Sequence, residues 1–578
     1  MKPFLTIHDP RTARAYHEAG LWGQDTFYSL LARNAAARPD DTALRDGRCS
    51  LNWGELVAWV DAVAADMRAQ GLRVGDRVSV WLPNRVETVV VFLACSREGW
   101  ACNPSLHYSY TCAEIATLLE RLRAAVLVTE PGWGADRATA DVDAVLDGVA
   151  SLRRRYSLEE LGALRRGGEP AGEPHPPQDD PDRVGYLAFT SGTTGQPKCV
   201  MHSSNTLMAN ARDMVRDWGL DHATRLYSLS PLSHHIAWVG VSQWLLAGCQ
   251  FIADAPPQGM SRLDWLLHCG TTYVMGVPTH AMDILQEQRT RGIESLGAVN
   301  QFYMAGSPIP PTVADALLRQ GARPQNVYGM TENSSHQYTH PTDSAQIITT
   351  TCGRGGPAYQ IRIFDADDAD RMLETGQEGQ IGGKGAALML GYYDNQQATE
   401  DSFNADGWFM SGDLGMLDAH GNLHVRGRLK DLIIRGGHNI YPSHIEALAL
   451  RHPQVEKCAA FPVPDERLGE RVCLAIIGAQ GGEQGGGQGG EQRSTAPNGP
   501  AMLAHLHAEG LSKYDMPEYF LRVEAFPLTP SGKILKRELP EMLKRGEIAP
   551  EPVRFVAPET AGPNPDNETA SDGEAASD

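Results

Sequence analysis

The stretch TSGTTGQPK, from Thr190 to Lys198, decides how the rest of this sequence is interpreted. It follows a short apolar run, YLAF, which ends at Phe189 and is typical of a β-strand. Two glycines, four hydroxyl side chains and one lysine stand within nine residues. Backbone N–H groups and hydroxyls bind phosphate oxygens, and glycines let the backbone approach them closely. The stretch therefore predicts a phosphate-binding loop that follows a strand.

Two other interpretations of this stretch are weighed against the sequence. A surface turn that binds nothing has a similar composition, because glycine and small hydroxyl residues favour turns. The phosphate loop of P-loop kinases and ATPases needs a glycine, four further residues and then Gly-Lys-Ser/Thr. Here Gly192 is followed by Thr, Thr, Gly, Gln and then Pro197, so that pattern fails.

Composition and charge describe an ordinary globular protein of more than one domain. A chain of 578 residues exceeds what one hydrophobic core usually organises, and its 42% hydrophobic content is ordinary. The formal net charge of −20 argues against general affinity for nucleic acid or an anionic membrane, although a local site can still bind anions. The sequence has no recognisable signal segment and no apolar run of transmembrane length, so a cytoplasmic protein without integral membrane association is expected. Ten scattered cysteines without a CxxC pair predict reduced thiols rather than disulfides or a zinc site.

Helix-like and strand-like segments alternate in the first part of the chain. Apolar positions recur at helical spacing in FYSLLARNAAARPD and ELVAWVDAVAADMRAQG, and short apolar runs follow near 77–83 and 124–130. Such alternation is typical of βαβ units around a mixed sheet, so a large α/β region is predicted. A segment rich in proline, glycine and acidic residues ends at Asp182 and is interpreted as an exposed linker.

The composition changes again near residue 430. The segment GRLKDLIIRGGHNIYPSHIEALAL predicts a charged turn, a strand, a glycine pair and a helix. A Gly/Gln tract at about 480–498 is too polar and flexible to pack, and the acidic segment 558–578 is expected to be disordered. The predicted organisation is a large N-terminal domain over 1–429, a small α+β domain over 430–557 and a tail.

Five further motifs follow the opening stretch along the chain. They are YGMTE at 328–332, SGDLG at 411–415, GRLKD at 427–431, RGGHNIYP at 435–442 and PLTPSGKI at 527–534. Together the six segments resemble the adenylate-forming (ANL) superfamily, and in particular its acyl-CoA synthetase branch. The resemblance implies an α/β fold with a large N-terminal region of several subdomains and mixed sheets, plus a small mobile α+β C-terminal domain.

The resemblance also implies a two-step reaction. In this superfamily a carboxylate attacks the α-phosphate of ATP, which releases pyrophosphate and leaves an acyl-adenylate, and a thiol then displaces AMP. We therefore expect an AMP-forming ligase of fatty or related acids that uses ATP, Mg²⁺ and CoA. A carrier-protein phosphopantetheine is the alternative thiol. A nucleotide-binding protein without catalysis is the rival from another class.

Several residues are assigned to phosphate and metal binding because they match the motifs of this superfamily. The resemblance implies that the β- and γ-phosphates contact four hydroxyl residues, Thr190, Ser191, Thr193 and Thr194. It also implies that Gly192 and Gly195 permit the turn and that Lys198 adds positive charge. Cys199 departs from the glycine that is common there, and we interpret it as a small packing residue. In YGMTE, Thr331 is expected to bind phosphate and Glu332 to hold Mg²⁺, since hard cations prefer oxygen ligands.

The same resemblance assigns the rest of the nucleotide site. Tyr328 is expected near the adenine, next to Gly329 of the same motif. The segment MAGSPIPP at 304–311 resembles the part that lines the adenine pocket, here Gly306, Ser307 and Pro308. Asp413 is the candidate for the ribose hydroxyls, and Arg428 for the ribose or phosphate end.

The resemblance gives three C-terminal residues separate roles. Lys533 is expected to bridge the carboxylate and the α-phosphate in the first step. Lys430 occupies the hinge position at which the small domain rotates between the two steps. Gly437 is expected to border the tunnel that the pantetheine thiol enters, where a side chain would obstruct it.

The acid-binding residues are the last group. SPLSHHIAW at 230–238 resembles the segment whose aromatic or histidine residue gates the carboxylate, and His234 matches that position. The acyl pocket is assigned to His235, Trp238, Val277 and Pro278. The segments PKCVMHSSNTLMAN and YHEAGLW resemble those of ligases for medium-chain, alicyclic or aryl acids, so the acid is expected in one of these classes.

Overall fold

The computed structural model describes residues 4–136, 139–166, 175–190, 197–478, 496–529 and 533–555. The chain divides into two compact units. The first comprises Met1–Asp431 with Pro527–Leu535, and the second comprises Leu432–Phe526 with Lys536–Asp578. The predicted Gly/Gln insert lies outside the described residues up to position 495, and the predicted acidic tail lies entirely outside them.

The segment Pro527–Leu535 groups with the first unit, although the predicted boundaries assign it to the small domain. Its two described sides pair with each other: the Thr529 N–H donates to the Lys533 carbonyl at 2.7 Å, and the Lys533 N–H donates to Thr529 Oγ1 at 3.0 Å. Leu528 and Ile534 form a further antiparallel bridge. These bonds lie within the segment, and its assignment to the first unit follows its contacts rather than its place in the chain.

The described part of the first unit alternates strands and helices. Its strands are β1 (Thr42–Arg45), β2 (Ser50–Asn52), β3 (Arg77–Trp81), β4 (Ala101–Asn103), β5 (Val126–Thr129), β6 (Arg154–Tyr156), β7 (Val184–Thr190), β8 (Lys198–Ser203), β9 (Arg225–Ser228), β10 (Gln250–Ala253), β11 (Tyr273–Gly276), β12 (Gln301–Ala305), β13 (Arg323–Met330), β14 (Ser334–Tyr338), β15 (Tyr359–Phe364), β16 (Gly379–Gly385), β17 (Phe409–Leu417) and β18 (Leu423–Arg428). Its helices are α1 (Pro10–Glu18), α2 (Phe27–Ala37), α3 (Trp53–Ala69), α4 (Val86–Glu98), α5 (Cys112–Leu122), α6 (Val142–Asp147), α7 (Leu158–Arg166), α8 (Ser204–Asp217), α9 (His235–Ala247), α10 (Arg262–His268), α11 (Pro278–Thr290), α12 (Pro311–Arg319), α13 (Ala345–Thr350) and α14 (Gln396–Glu400).

These strands form three sheets over the described residues. One has the order β14-β13-β12-β11-β9-β10-β1-β2, with antiparallel edge strands β14 and β2 around a parallel centre. Another has the order β6-β5-β3-β4-β7-β8 and is parallel except for β8. The third, β15-β16-β17-β18, is antiparallel throughout. The predicted α/β class with mixed sheets is therefore confirmed.

Aromatic side chains fill the core where helices cover the sheets. Trp53 of α3 and Trp244 of α9 stack with ring centroids 5.3 Å apart, and Phe27 of α2 meets Phe92 of α4 edge-on at 4.9 Å. Such pairs stabilise a fold by about 0.5–1.5 kcal/mol beyond the area they bury. The segments with helical spacing form α2 and α3, and the two predicted strands contain β3 and β5.

The second unit is a small α+β structure. Its elements are β19 (Ile433–Arg435), β20 (His438–Ile440), α15 (Pro442–Ala449), β21 (Val455–Asp465), β22 (Gly469–Gly478), α16 (Gly499–Ala508), β23 (Tyr519–Arg522), α17 (Glu538–Lys544) and β24 (Glu551–Pro552). The sheet has the order β20-β19-β22-β23-β24, and β21 also pairs with β22. Its core is aliphatic, with buried residues such as Ile445 of α15, Leu474 of β22 and Leu503 of α16.

None of the helices in the described ranges has both the length and the apolar character that crossing a bilayer requires.

Candidate active site

The predicted phosphate-binding stretch lies between two paired strands. β7 ends at Thr190 and β8 begins at Lys198, and these two residues face each other in the antiparallel register. The candidate residues Ser191, Gly192, Thr193, Thr194 and Gly195 lie outside the described residues. The ammonium of Lys198 lies over the ring of Tyr392, 4.6 Å from its centroid. Cys199 is buried, and burial raises its thiol pKa to about 12, which confirms the interpretation of this cysteine as a packing residue.

The carboxylate of Asp413 is held by two partners. The Tyr328 hydroxyl donates to Asp413 Oδ2 at 2.8 Å, and Arg428 Nε lies 3.3 Å from Oδ1. Asp413 and Arg428 are also register partners in β17 and β18. Burial raises the pKa of Asp413, an effect that Arg428 and the Tyr328 hydroxyl oppose. The result is a carboxylate whose orientation is fixed by two partners.

The YGMTE motif leads from β13 into β14 through a shift in strand register. The pairing shifts between Tyr328 and Gly329, and a Cβ at 329 would lie only 1.9 Å from the Ser334 carbonyl oxygen. Only glycine fits so close an approach. Beyond it, the Thr331 carbonyl lies 2.7 Å from His202 Nε2 of β8. This bond connects the motif to the strand that follows the phosphate-binding stretch.

Glu332 is the carboxylate that the sequence assigns to a metal ion. Its Oε1 accepts a hydrogen bond from the Tyr392 hydroxyl at 2.9 Å, and its carbonyl accepts one from the Met389 N–H at 2.7 Å. Burial raises its pKa, while the Tyr392 hydroxyl, then its own backbone and Lys198, lower it. One oxygen of this carboxylate is engaged and the other accepts no hydrogen bond from any other described residue, which suits a hard cation that ATP itself helps to bind. Glu332 therefore fits Mg²⁺.

Lys533 lies in an electrostatic setting shared with the nucleotide-site residues. The residue is exposed overall, yet desolvation of its ammonium, followed by repulsion from Arg428, lowers its pKa. Asp413 and Glu332 act in the opposite direction. Binding an anion would stabilise this ammonium, because an opposite charge favours the charged form.

The gate candidate His234 is paired with a second histidine that the sequence did not point to. The rings of His234 and His107 meet edge-on with centroids 4.7 Å apart, and His107 Nδ1 lies 3.0 Å from Ser233 Oγ. Burial, followed by the charge of Lys533, lowers the pKa of His234 to about 4. Burial, followed by the neighbouring His234, lowers the pKa of His107 to about 3. Both rings are therefore neutral at neutral pH. An apolar acid would meet uncharged imidazoles here.

The four acyl-pocket candidates lie at the starts of two helices. His235 opens α9, with Nδ1 3.2 Å from the Tyr186 hydroxyl, while Trp238 is buried in the core and donates its indole N–H to the Leu232 carbonyl at 2.8 Å. Val277 precedes α11 and Pro278 is its first residue. Trp238 and Pro278 are buried, and all four residues stay candidates for the acyl pocket.

The other predicted residues occupy turns. Gly306, Ser307 and Pro308 follow β12, and Gly306 has a φ of +92°, which glycine adopts without strain. Lys430 lies in a short 3-10 turn, Leu429–Asp431, that ends the first stretch of the first unit. Gly437 lies between β19 and β20 of the second unit with a φ of +84°.

Comparison with known families decides the membership of the chain. The model of the AMP-binding enzyme family matches residues 31–393, which is more than half of the chain, and the model of its C-terminal domain matches residues 444–533. This chain is an AMP-binding enzyme.

The relatives of this AMP-binding enzyme are acid ligases. The medium-chain fatty-acid–CoA ligase of Escherichia coli is 28% identical over 557 residues, which cover 93% of both chains. A feruloyl-CoA synthase from an Amycolatopsis species is 31% identical over 516 residues, which cover 88% of this chain and 97% of that one. The crystal structure of ATP-bound MatB from Rhodopseudomonas palustris matches with a TM-score of 0.76 and 26% identity, covering 90% of this chain and 99% of that one. The predicted membership of the acyl-CoA synthetase branch, and with it the class of acid–thiol ligase, is confirmed.

Three residues that support this AMP-binding enzyme's candidate site were not found from the sequence. His202, His107 and Tyr392 each contact a predicted residue that is more than 50 positions away in the chain. His202 lies in the quoted segment PKCVMHSSNTLMAN, so its polarity within an apolar strand was visible, but its partner was not.

We expect a further buried histidine to make the folding stability of this AMP-binding enzyme sensitive to acid. His336 of β14 is 1% exposed, lies between Tyr328 and Tyr359, and has no hydrogen-bond partner for either ring nitrogen among the described residues. Burial lowers its pKa to about 3, so the folded state disfavours its protonation. The stabilisation present above the ordinary pKa of about 6.5 is therefore lost as pH falls towards 3, by about 1.4 kcal/mol per pH unit at most.

His336→Phe should reduce this acid sensitivity. We expect the free energy of unfolding of the variant to fall less between pH 7 and pH 5 than that of the wild type, by up to about 2 kcal/mol. Chemical denaturation at both pH values measures it. His222→Phe, at an exposed position, should keep the wild-type pH dependence, and parallel curves for all three proteins would contradict the prediction.

Proposed function

We propose that this enzyme converts a medium-chain, alicyclic or aryl carboxylic acid, ATP and free CoA into the acyl-CoA, AMP and pyrophosphate. The observation that supports it most is the oriented Asp413 carboxylate, held by Tyr328 and Arg428. Glu332 and Lys533 belong to the same electrostatic neighbourhood. The proposed ribose-binding carboxylate, the proposed metal ligand and the Lys533 ammonium thus share one electrostatic neighbourhood.

In the first step, two anions must meet. The acid's carboxylate oxygen forms a bond to the α-phosphorus, and the bond from that phosphorus to the bridging oxygen breaks as pyrophosphate leaves. Lys533 would neutralise the charge that accumulates where acid and α-phosphate meet, while Asp413 orients the ribose. Bound to Glu332, Mg²⁺ would neutralise phosphate oxygens and favour the departure of pyrophosphate. Positioning and charge contribute most of such catalysis.

In the second step, a thiol attacks the acyl carbon. The carbon–sulfur bond forms, the bond from that carbon to the AMP oxygen breaks, and the thiol proton is lost to solvent or to a base. We propose that rotation at Lys430 separates the two steps and that Gly437 borders the thiol's route. Two observations support this role for Gly437. Its φ is positive, and a Cβ built there has no heavy atom of the described residues, apart from the chain neighbours, within 4 Å.

The acid class is inferred from the uncharged histidine pair at the gate, where the Lys533 ammonium, which lowers the pKa of His234, is a cation for the reacting carboxylate of the acid. His107 and His234 are uncharged at neutral pH, so no permanent cation from this pair selects a second carboxylate on the acid. A monocarboxylate with an apolar body fits such surroundings better than a dianion. The names of the two relatives, a medium-chain ligase and a feruloyl-CoA synthase, agree with this class.

A panel of acids tests the proposal. The purified enzyme is incubated with ATP, Mg²⁺ and CoA and, in turn, with C6–C12 fatty acids, cyclohexanecarboxylate, benzoate and substituted cinnamates. We expect AMP, pyrophosphate and an acyl-CoA in equal amounts for at least one of these acids. ADP in place of AMP, or no pyrophosphate exchange with any acid, would overturn the proposal. An acyl-adenylate that accumulates with CoA but reacts with a phosphopantetheinyl carrier protein would identify a carrier-loading enzyme instead.

A further inference from the structure

Tyr392 contacts two residues that the proposed mechanism treats separately. Its hydroxyl lies 2.9 Å from Glu332 Oε1, and the ammonium of Lys198 lies 4.6 Å from the centroid of its ring. Lys198 belongs to the phosphate-binding stretch, and Glu332 is the proposed metal ligand. The side chain of Tyr392 therefore contacts both the proposed metal ligand and the lysine of the predicted phosphate-binding stretch.

The chemistry of the two contacts differs. The phenol donates a hydrogen bond to the carboxylate, and hydrogen bonds to a charged group are roughly twice as strong as neutral ones. The ring face attracts the ammonium through its quadrupole, an interaction that strengthens when water is excluded. Tyr392 is 5% exposed, whereas Glu332 and Lys198 are half-buried, so both contacts are partly shielded from solvent.

The backbone around Tyr392 fixes its position on both sides. The Tyr392 N–H donates to Thr399 Oγ1 at 2.9 Å, and Tyr392 forms an antiparallel bridge with Val200 of β8. The Tyr393 N–H donates to the Cys199 carbonyl at 2.7 Å. The segment is thus attached to the strand that carries Lys198, and the side chain has little freedom to leave either partner.

We propose that Tyr392 is a positioning residue for the metal–nucleotide complex, which it serves through two separable contacts. Its hydroxyl holds the Glu332 carboxylate in the orientation that binds Mg²⁺. Its ring holds the Lys198 ammonium where this lysine is expected to face the phosphates of ATP. The inference rests on the proposed role of Glu332, and Tyr392 itself touches neither the acid nor the reacting atoms.

Two replacements of the ring separate the contacts. Tyr392→Phe removes the hydroxyl and keeps an electron-rich ring. Pentafluorophenylalanine at position 392 also lacks the hydroxyl, but its fluorines reverse the charge distribution of the ring face. The two variants are similar in shape, so a difference between them reports the contact with Lys198 alone.

Binding of α,β-methylene-ATP is measured by calorimetry in EDTA and in excess Mg²⁺, so that no turnover is needed. For Tyr392→Phe we expect an unchanged Kd in EDTA and a loss of about tenfold in the enhancement that Mg²⁺ produces, as for a lost hydrogen bond to a charged group. For the fluorinated variant we expect the same loss and, in addition, a Kd in EDTA that is about threefold weaker. Wild-type enhancement by Mg²⁺ in Tyr392→Phe would overturn the hydroxyl's role, and equal Kd values in EDTA would overturn the ring's role.

Two controls make the outcomes distinguishable. Tyr156→Phe removes another buried tyrosine hydroxyl that donates to a carboxylate, that of Asp66 at 2.6 Å, and should bind nucleotide like the wild type with and without Mg²⁺. Glu332→Gln should itself abolish most of the Mg²⁺ enhancement. If it does not, the proposed metal role of Glu332 fails; if it does while Tyr392→Phe has no effect, only the inference about Tyr392 fails.

Discussion

Replacing Lys533 with alanine should reduce formation of the acyl-adenylate by a factor on the order of 10²–10³, the loss typical of a removed transition-state donor. Desolvation, followed by repulsion from Arg428, lowers the pKa of the Lys533 ammonium, while Asp413 and Glu332 oppose this effect. An anion bound beside the ammonium would favour its charged form. The acid and the α-phosphate supply that anion, most strongly as charge develops between them. Lys533 should therefore contribute more to the first step than to nucleotide binding.

The measurement that checks Lys533→Ala separates the two half-reactions. ATP–pyrophosphate exchange reports the first step, and conversion of supplied acyl-adenylate with CoA reports the second, which should stay within about threefold of the wild type. Lys544→Ala removes an exposed lysine from the same C-terminal part of the chain, one that pairs with Glu541, and should leave both steps unchanged. An equal loss in both steps for Lys533→Ala would show that the residue supports the fold or CoA binding instead.

Local patterns predicted several helices and strands of the first unit. The helical spacing of α2 and α3, the apolar runs of β3 and β5 and the motif positions depend on residues close together in sequence. Local contacts also explain why β7 could be expected before the phosphate-binding stretch. In each case the signal and the structure it specifies lie within one element.

The partners of the site residues could not be predicted in the same way. Tyr328 and Asp413 are 85 positions apart, His202 and Thr331 are 129 apart, and Tyr392 and Glu332 are 60 apart. Which side chains meet across such distances depends on strand register, and a shift of one residue moves a side chain to the other face. The position of Pro527–Leu535 is the clearest case, because its contacts group it with the first unit although its sequence neighbours belong to the second.

Gly437→Trp should leave ATP–pyrophosphate exchange within about threefold of the wild type and reduce thioester formation by at least about 10²-fold, if the glycine borders the thiol's route. Among the described residues, apart from the two chain neighbours, no heavy atom lies within 4 Å of a Cβ built at this position, so the first atom of the new side chain meets no steric clash. The φ of +84° adds a backbone strain of about 1–2 kcal/mol for any other residue.

A matched glycine separates that strain from an obstructed route. Gly510, in the same unit, has a φ of +93° and equally open surroundings, so Gly510→Trp imposes the same backbone cost at a place without a proposed role. Both variants should lose similar thermal stability, but only Gly437→Trp should lose the thiol step. Equal thioester rates in the two variants would remove Gly437 from the route, whereas loss of exchange in Gly437→Trp would indicate that the substitution disturbs the first step. The thiol step alone is sensitive because the adenylate forms before any thiol must pass this surface.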